Sequence, residues 1–103
     1  MTANDEFKPF QVSMSSDTAE ELRHLYDLAA TQQDKEAFLQ ALRHIDSRLL
    51  NDPLNFGEEL FELRKVRAIV KLALRLPIAI EFGVYPEQRI VLIRTFRYLA
   101  PAT

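Results

Sequence analysis

Five basic residues, Arg64, Arg67, Lys71, Arg75 and Arg97, carry the clearest chemical signal in this chain. Arg and Lys form charge-assisted hydrogen bonds to phosphate oxygens, and a cluster of them offsets developing charge on a scissile phosphate. RNA cleavage at such a site needs little more than an oriented 2′-hydroxyl. If residues 66–76 form a strand, Arg67, Lys71 and Arg75 share one face; Leu60, Glu62 and Arg64 line up likewise on theirs. That surface suits phosphates. The alternative is a solvated sheet face whose cations pair with Glu62 and Glu81. Tyr85 and Tyr98 have rings able to stack on bases, although core packing or edge cover is the commoner use of such tyrosines.

Other chemistry is sparse. There is no Cys, which excludes disulfides, thiolate zinc sites and cysteine nucleophiles. His24 and His44 are isolated and read as solvent-facing helical residues, so no metal and no cofactor is expected. Ser13, Ser15 and Ser16 read as strand-end and capping residues, because no base is placed to activate them. Glu58, Glu59 and Glu62 read as a solvated charge run. Gly57 and Gly83 are the only glycines, too few for a phosphate loop.

The charge is divided along the chain. Residues 1–63 hold 5 Lys+Arg against 13 Asp+Glu, and residues 64–103 hold 8 against 2. The formal net charge of −2 therefore hides an acidic half and a basic half. An overall pI near 5.7 counts against a dedicated nucleic-acid binder, because long-range steering is weak. The acidic half offers a surface to a basic partner or simply confers solubility. Met1–Phe10 lacks the apolar core of a secretory signal. The apolar run from Ala68 to Tyr85 is interrupted by Lys71, Arg75, Pro77 and Glu81, so it does not read as a membrane span. The expectation is a cytoplasmic protein with no membrane contact.

These residues need a scaffold. Residues 1–6 read as a flexible tail and 7–103 as a single domain. Phe10, Val12 and Met14 alternate with polar residues, which predicts a short strand. Ser16-Asp17 offers an N-cap, with Glu20 completing a capping box. Ala19, Leu22, Leu25, Tyr26 and Ala29 then follow helical spacing. A second helical stripe runs Phe38, Ala41, Leu42, Ile45 and Leu49, and Pro53 ends it. Residues 59–76 fit a helix or a strand equally well. Ile78, Ile80, Phe82 and Val84 alternate, residues 85–88 form a turn, and 89–96 is a second β-prone run, so a hairpin is expected. Phe38, Leu42, Ile45, Leu49, Ile80, Phe82 and Val91 are expected in one core. The last strand resists assignment. Val91 and Ile93 inward leaves Phe96 outward, unless a bulge near Arg94 intervenes.

The order strand, helical hairpin, run of strands resembles the RelE/ParE toxin superfamily. Leu60–Arg64, Ile78–Val84 and Arg89–Arg97 carry the resemblance, as a second strand ending on a basic residue, a central hairpin strand and a last strand closing on Arg. The resemblance implies an α+β fold: a small antiparallel sheet with the N-terminal strand and a two-helix hairpin packed on one face. It favours strands over residues 59–76. It implies the toxin-like component of a type II toxin–antitoxin or plasmid-stabilisation system, neutralised by an antitoxin protein. The activity implied is metal-independent endoribonuclease cleavage of mRNA on the ribosome. Alternatives are a non-catalytic protein-interaction module of the same fold, or a gyrase-directed ParE-like toxin. Carried over, Arg64, Lys71 and Arg97 are the expected catalytic cations, and Arg67, Arg75 and Tyr98 the RNA-binding residues. The chain departs from the pattern at Pro77-Ile78, where an Arg is expected, and at Glu62, where the nucleases carry Lys.

Overall fold

A computed structural model describes residues 8–100; the expected tail at residues 1–6 lies outside that range. Five strands and two helices follow in the order β1 (Gln11–Met14), α1 (Ser16–Thr31), α2 (Lys35–Asn51), β2 (Glu58–Leu63), β3 (Ala68–Arg75), β4 (Ile78–Tyr85) and β5 (Ile90–Tyr98). A 3-10 turn, Pro53–Asn55, links α2 to β2. The strands form one sheet in the order β1-β5-β4-β3-β2. The fold is α+β, as expected, but the sheet is mixed. β1 runs parallel to β5, with Gln11 opposite Ile90, and the other pairs are antiparallel. The chain re-enters the sheet at the far edge with β2 and comes back beside β1 only with β5.

Local chemistry explains the boundaries. The cap of α1 is Ser15, one residue earlier than expected, and its hydroxyl accepts the Thr18 N–H at 3.1 Å. The Thr18 hydroxyl donates to the Arg94 carbonyl at 3.3 Å, tying the helix start to β5. Pro53 cannot extend α2, and the chain turns there. Gly57 then has φ +78°, and a Cβ there would stand 2.5 Å from the Leu72 carbonyl oxygen. Only glycine permits that approach of β2 to β3.

The ambiguous stretch is two strands, not one. Residues 64–67 form the turn between them, so Val66 and Arg67 fall outside β3. Arg67 has φ +53° at that turn. The last strand is reconciled by a bulge. Glu81 pairs with Thr95 and Phe82 with Ile93, which leaves Arg94 as the extra residue. Val91, Ile93 and Phe96 can then all join the core.

One side of the sheet shares its core with the helices. Phe38, Ala41, Ile45 and Leu49 of α2 and Ala29 of α1 cluster with Ile78, Ile80, Phe82, Val84, Val91 and Phe96. Leu42 packs against this cluster half-buried; the other residues expected in the core are buried. Phe56 stacks on Phe82 at 5.9 Å between ring centroids, and the Arg48 guanidinium lies over the Phe56 ring at 4.9 Å. We call this the inner side. Among the described residues no helix is long and apolar enough to cross a membrane.

Candidate functional site

The register assigns each expected cation to a side. Lys71 lies opposite Phe82 and Ala73 opposite Ile80, so Lys71 belongs to the inner side. It is 5% exposed, and its ammonium donates to the Leu54 carbonyl on the 3-10 turn. Burial pulls its pKa below the ordinary value of 10.5, while the charges of Glu59 and Asp52 act the other way. Lys71 is thus a clasp between sheet and turn, not a member of an exposed basic face.

The remaining residues disperse. Arg75 ends β3 opposite Ile78, exposed. Arg67 sits in the turn after β2, and its guanidinium pairs with Glu87 at 2.6 Å, joining that turn to the β4–β5 turn. Arg64 lies exposed beside it in a shallow depression with Glu62, Ile69 and Pro86. Arg97 lies opposite Ala79 and faces away from the core, beside Leu72, Leu74 and Leu99. Tyr98 faces inward. Its hydroxyl donates to Asp34 at 2.9 Å, and its ring meets Phe38 edge-on at 6.0 Å between centroids. Burial, followed by the Asp34 hydrogen bond, pushes its phenol pKa up. It anchors the turn between the helices to β5.

The expected trio is therefore not brought together. Lys71 is buried on the inner side and Arg97 is on the other. Arg64 follows Leu63, whose partner Ala68 lies six positions along β3 from Leu74, the residue opposite Ala79. Six positions span about 20 Å along a strand. The expectation that Arg67, Lys71 and Arg75 form one basic face fails for a physical reason. The register does put Lys71 and Arg75 on one side, but Arg67 lies outside the strand in the 64–67 turn, and that side is the one whose Ile80 and Phe82 cluster with helix residues, so Lys71 is buried. His24 is exposed beside Glu20 at 3.5 Å, whereas His44 is half-buried, edge-on to Phe56. No group of three or more metal-ligating side chains occurs among the described residues.

What the register does assemble is apolar. Phe61 and Leu63 pair with Val70 and Ala68, and Leu72 and Leu74 with Glu81 and Ala79. With Leu92, Tyr85 and Leu99 they line two neighbouring shallow hollows on the outer side of the sheet. Leu74 is 63% exposed, Leu76 70% and Phe61 46%. Two arginines interrupt this surface. Arg94 is held by Glu81 at 3.3 Å. Arg97 forms no ion pair within 4 Å among the described residues. The sequence signal was present: the run Ala68–Leu74 is apolar at both alternations except for Lys71, the pattern of a strand apolar on both faces.

No family model, no curated protein and no solved structure matches this chain.

Proposed function

We propose that this chain is a protein-interaction module on a toxin-like α+β scaffold. Both helices cover the inner side of the sheet, and the outer side takes a segment of a partner protein. The observation that carries this reading is the exposed apolar surface of Phe61, Leu63, Leu74, Leu76, Leu92 and Leu99. A surface of this kind on a small domain marks an interaction site. The segment that fits is apolar, with a carboxylate set against Arg97, which forms no ion pair within 4 Å among the described residues. Under the RelE/ParE resemblance that partner is an antitoxin, and the order strand, helical hairpin, four strands supports the resemblance. The ribonuclease reading draws less support, because Arg64, Lys71 and Arg97 do not converge on one phosphate.

The test is recovery of the protein from its native host, wild type beside a Leu74→Glu/Leu76→Glu variant. The reading expects a stoichiometric small protein with wild type, lost with the variant, whose folded spectrum is unchanged. Wild type recovered alone, or a partner held equally by the variant, would remove it. Growth arrest on expression that Arg97→Ala relieves and Arg23→Ala does not would instead support phosphate chemistry.

A further inference from the structure

The outer margin of the sheet carries a second feature, a free strand edge, which adjoins the docking surface just described at Phe61 and Leu63. β2 is the last strand in the sheet order, bonded to β3 on one side only. Its six residues, Glu-Glu-Leu-Phe-Glu-Leu, are all exposed. A free strand edge presents unpaired N–H and C=O groups to any extended chain. Proteins commonly blunt such an edge with charges, Pro or a bulge; β2 has no Lys or Pro, and its protection is three carboxylates and one irregularity, a negative edge that repels acidic strands and admits basic ones. One irregularity, at Leu60, leaves Phe61–Leu63 in regular register with β3. The opposite margin differs: β1 has four residues, and its exposed positions are Gln11 and Ser13.

We propose that the β2 edge accepts an extended segment of a partner chain in which apolar and basic residues alternate. The alternation follows from the pleat. On the outer side the added strand would lie beside Phe61 and Leu63, which share that side with Val70 and Ala68. On the inner side it would lie beside Glu59 and Glu62, which share that side with Lys71 and Ile69. Neither carboxylate has a cation within 4 Å among the described residues. Arg64 and Arg67 line the same depression as Glu62; Arg67 is taken by Glu87, and Arg64 lies beyond 4 Å of the carboxylate. Basic residues on the added strand would meet these carboxylates as cross-strand pairs. A second copy of the chain is the wrong occupant. Pairing β2 with β2 would place three carboxylates from each copy along one seam, with no basic residue in either strand.

The probe is a blocked eight-residue peptide alternating valine and lysine, titrated into the labelled protein and followed by amide NMR. A valine–glutamate peptide serves as the charge control. The expected result is perturbation centred on residues 58–63, with binding about tenfold weaker for the glutamate peptide. Glu59→Lys/Glu62→Lys should invert that preference, and Glu59→Gln/Glu62→Gln should erase it while the spectrum stays dispersed. Equal binding of both peptides, perturbation confined to residues 72–76 and 97–99, or no binding up to about 1 mM would overturn the proposal. So would protection of the β2 amides on self-association without peptide. Failure here leaves the docking on the outer side intact, because Leu74 and Leu76 are read out separately.

Discussion

The inner and outer sides of this sheet are built from similar residues and end in different states. Ile80, Phe82, Val84 and Val91 on the inner side have no exposed surface, and the helices share their core. Leu74, Leu92 and Phe61 on the outer side remain accessible. Composition does not distinguish the two sides; what does is that the inner residues share one cluster with residues of α1 and α2. β3 is apolar on both faces, and on the proposed reading a partner segment covers the face that the core does not.

The largest test of the contrast is truncation on each side. Phe82→Ala should cost about 3–5 kcal/mol in urea denaturation, because it removes a fully buried ring and leaves a cavity. Leu74→Ala, at a mostly exposed position, should cost about 0.5 kcal/mol or less. Equal losses would mean that the two sides are equally covered in the isolated chain.

Lys71 sharpens the comparison, since it is a polar residue on the covered side. Lys71→Ala removes the charge-assisted hydrogen bond to the Leu54 carbonyl and should cost about 1–3 kcal/mol. Arg97→Ala on the outer side should lie within about 0.5 kcal/mol of wild type. A loss at Arg97 as large as that at Lys71 would assign it a structural role.

The smallest effects lie in the alkaline limb, where two groups act with opposite sign. Lys71 has its pKa lowered by burial, so the unfolded chain binds that proton more tightly. Stability should therefore rise with pH in the window just below 10.5, and Lys71→Met should abolish the rise. Tyr98 has its pKa raised above 10.0, chiefly by burial and then by its bond to Asp34. Its contribution is present below 10.0 and is lost as pH climbs through the folded-state value, a fall that Tyr98→Phe should remove. Denaturation midpoints between neutral and strongly alkaline pH separate the two.

Much of the scaffold was legible in the sequence because it rests on local signals. The two helical stripes, the β4 alternation and the stop at Pro53 all hold. The facing of β3 was not legible. Both alternations there are apolar, so the period says strand without saying which side meets the helices. Only long-range pairing, Lys71 opposite Phe82, decides it. Arg94 shows a milder version: Val91, Ile93 and Phe96 demanded a bulge, but its position depends on the β4 register. The grouping of the basic residues was not legible for the same reason. Arg64, Arg67, Lys71 and Arg75 are close in sequence, but the turn at 64–67 takes Arg64 and Arg67 out of β3, and of the two that share its inner side Lys71 is buried and Arg75 exposed.

The most direct test of a covered inner side and a docking outer side is methyl NMR of the protein, alone and with the partner recovered from its host. The account predicts that methyl signals of Leu72, Leu74, Leu76 and Leu92 shift on binding, while those of Ile80, Val84 and Val91 hold still. Shifts confined to the inner-side methyls, or to α1 and α2, would contradict it.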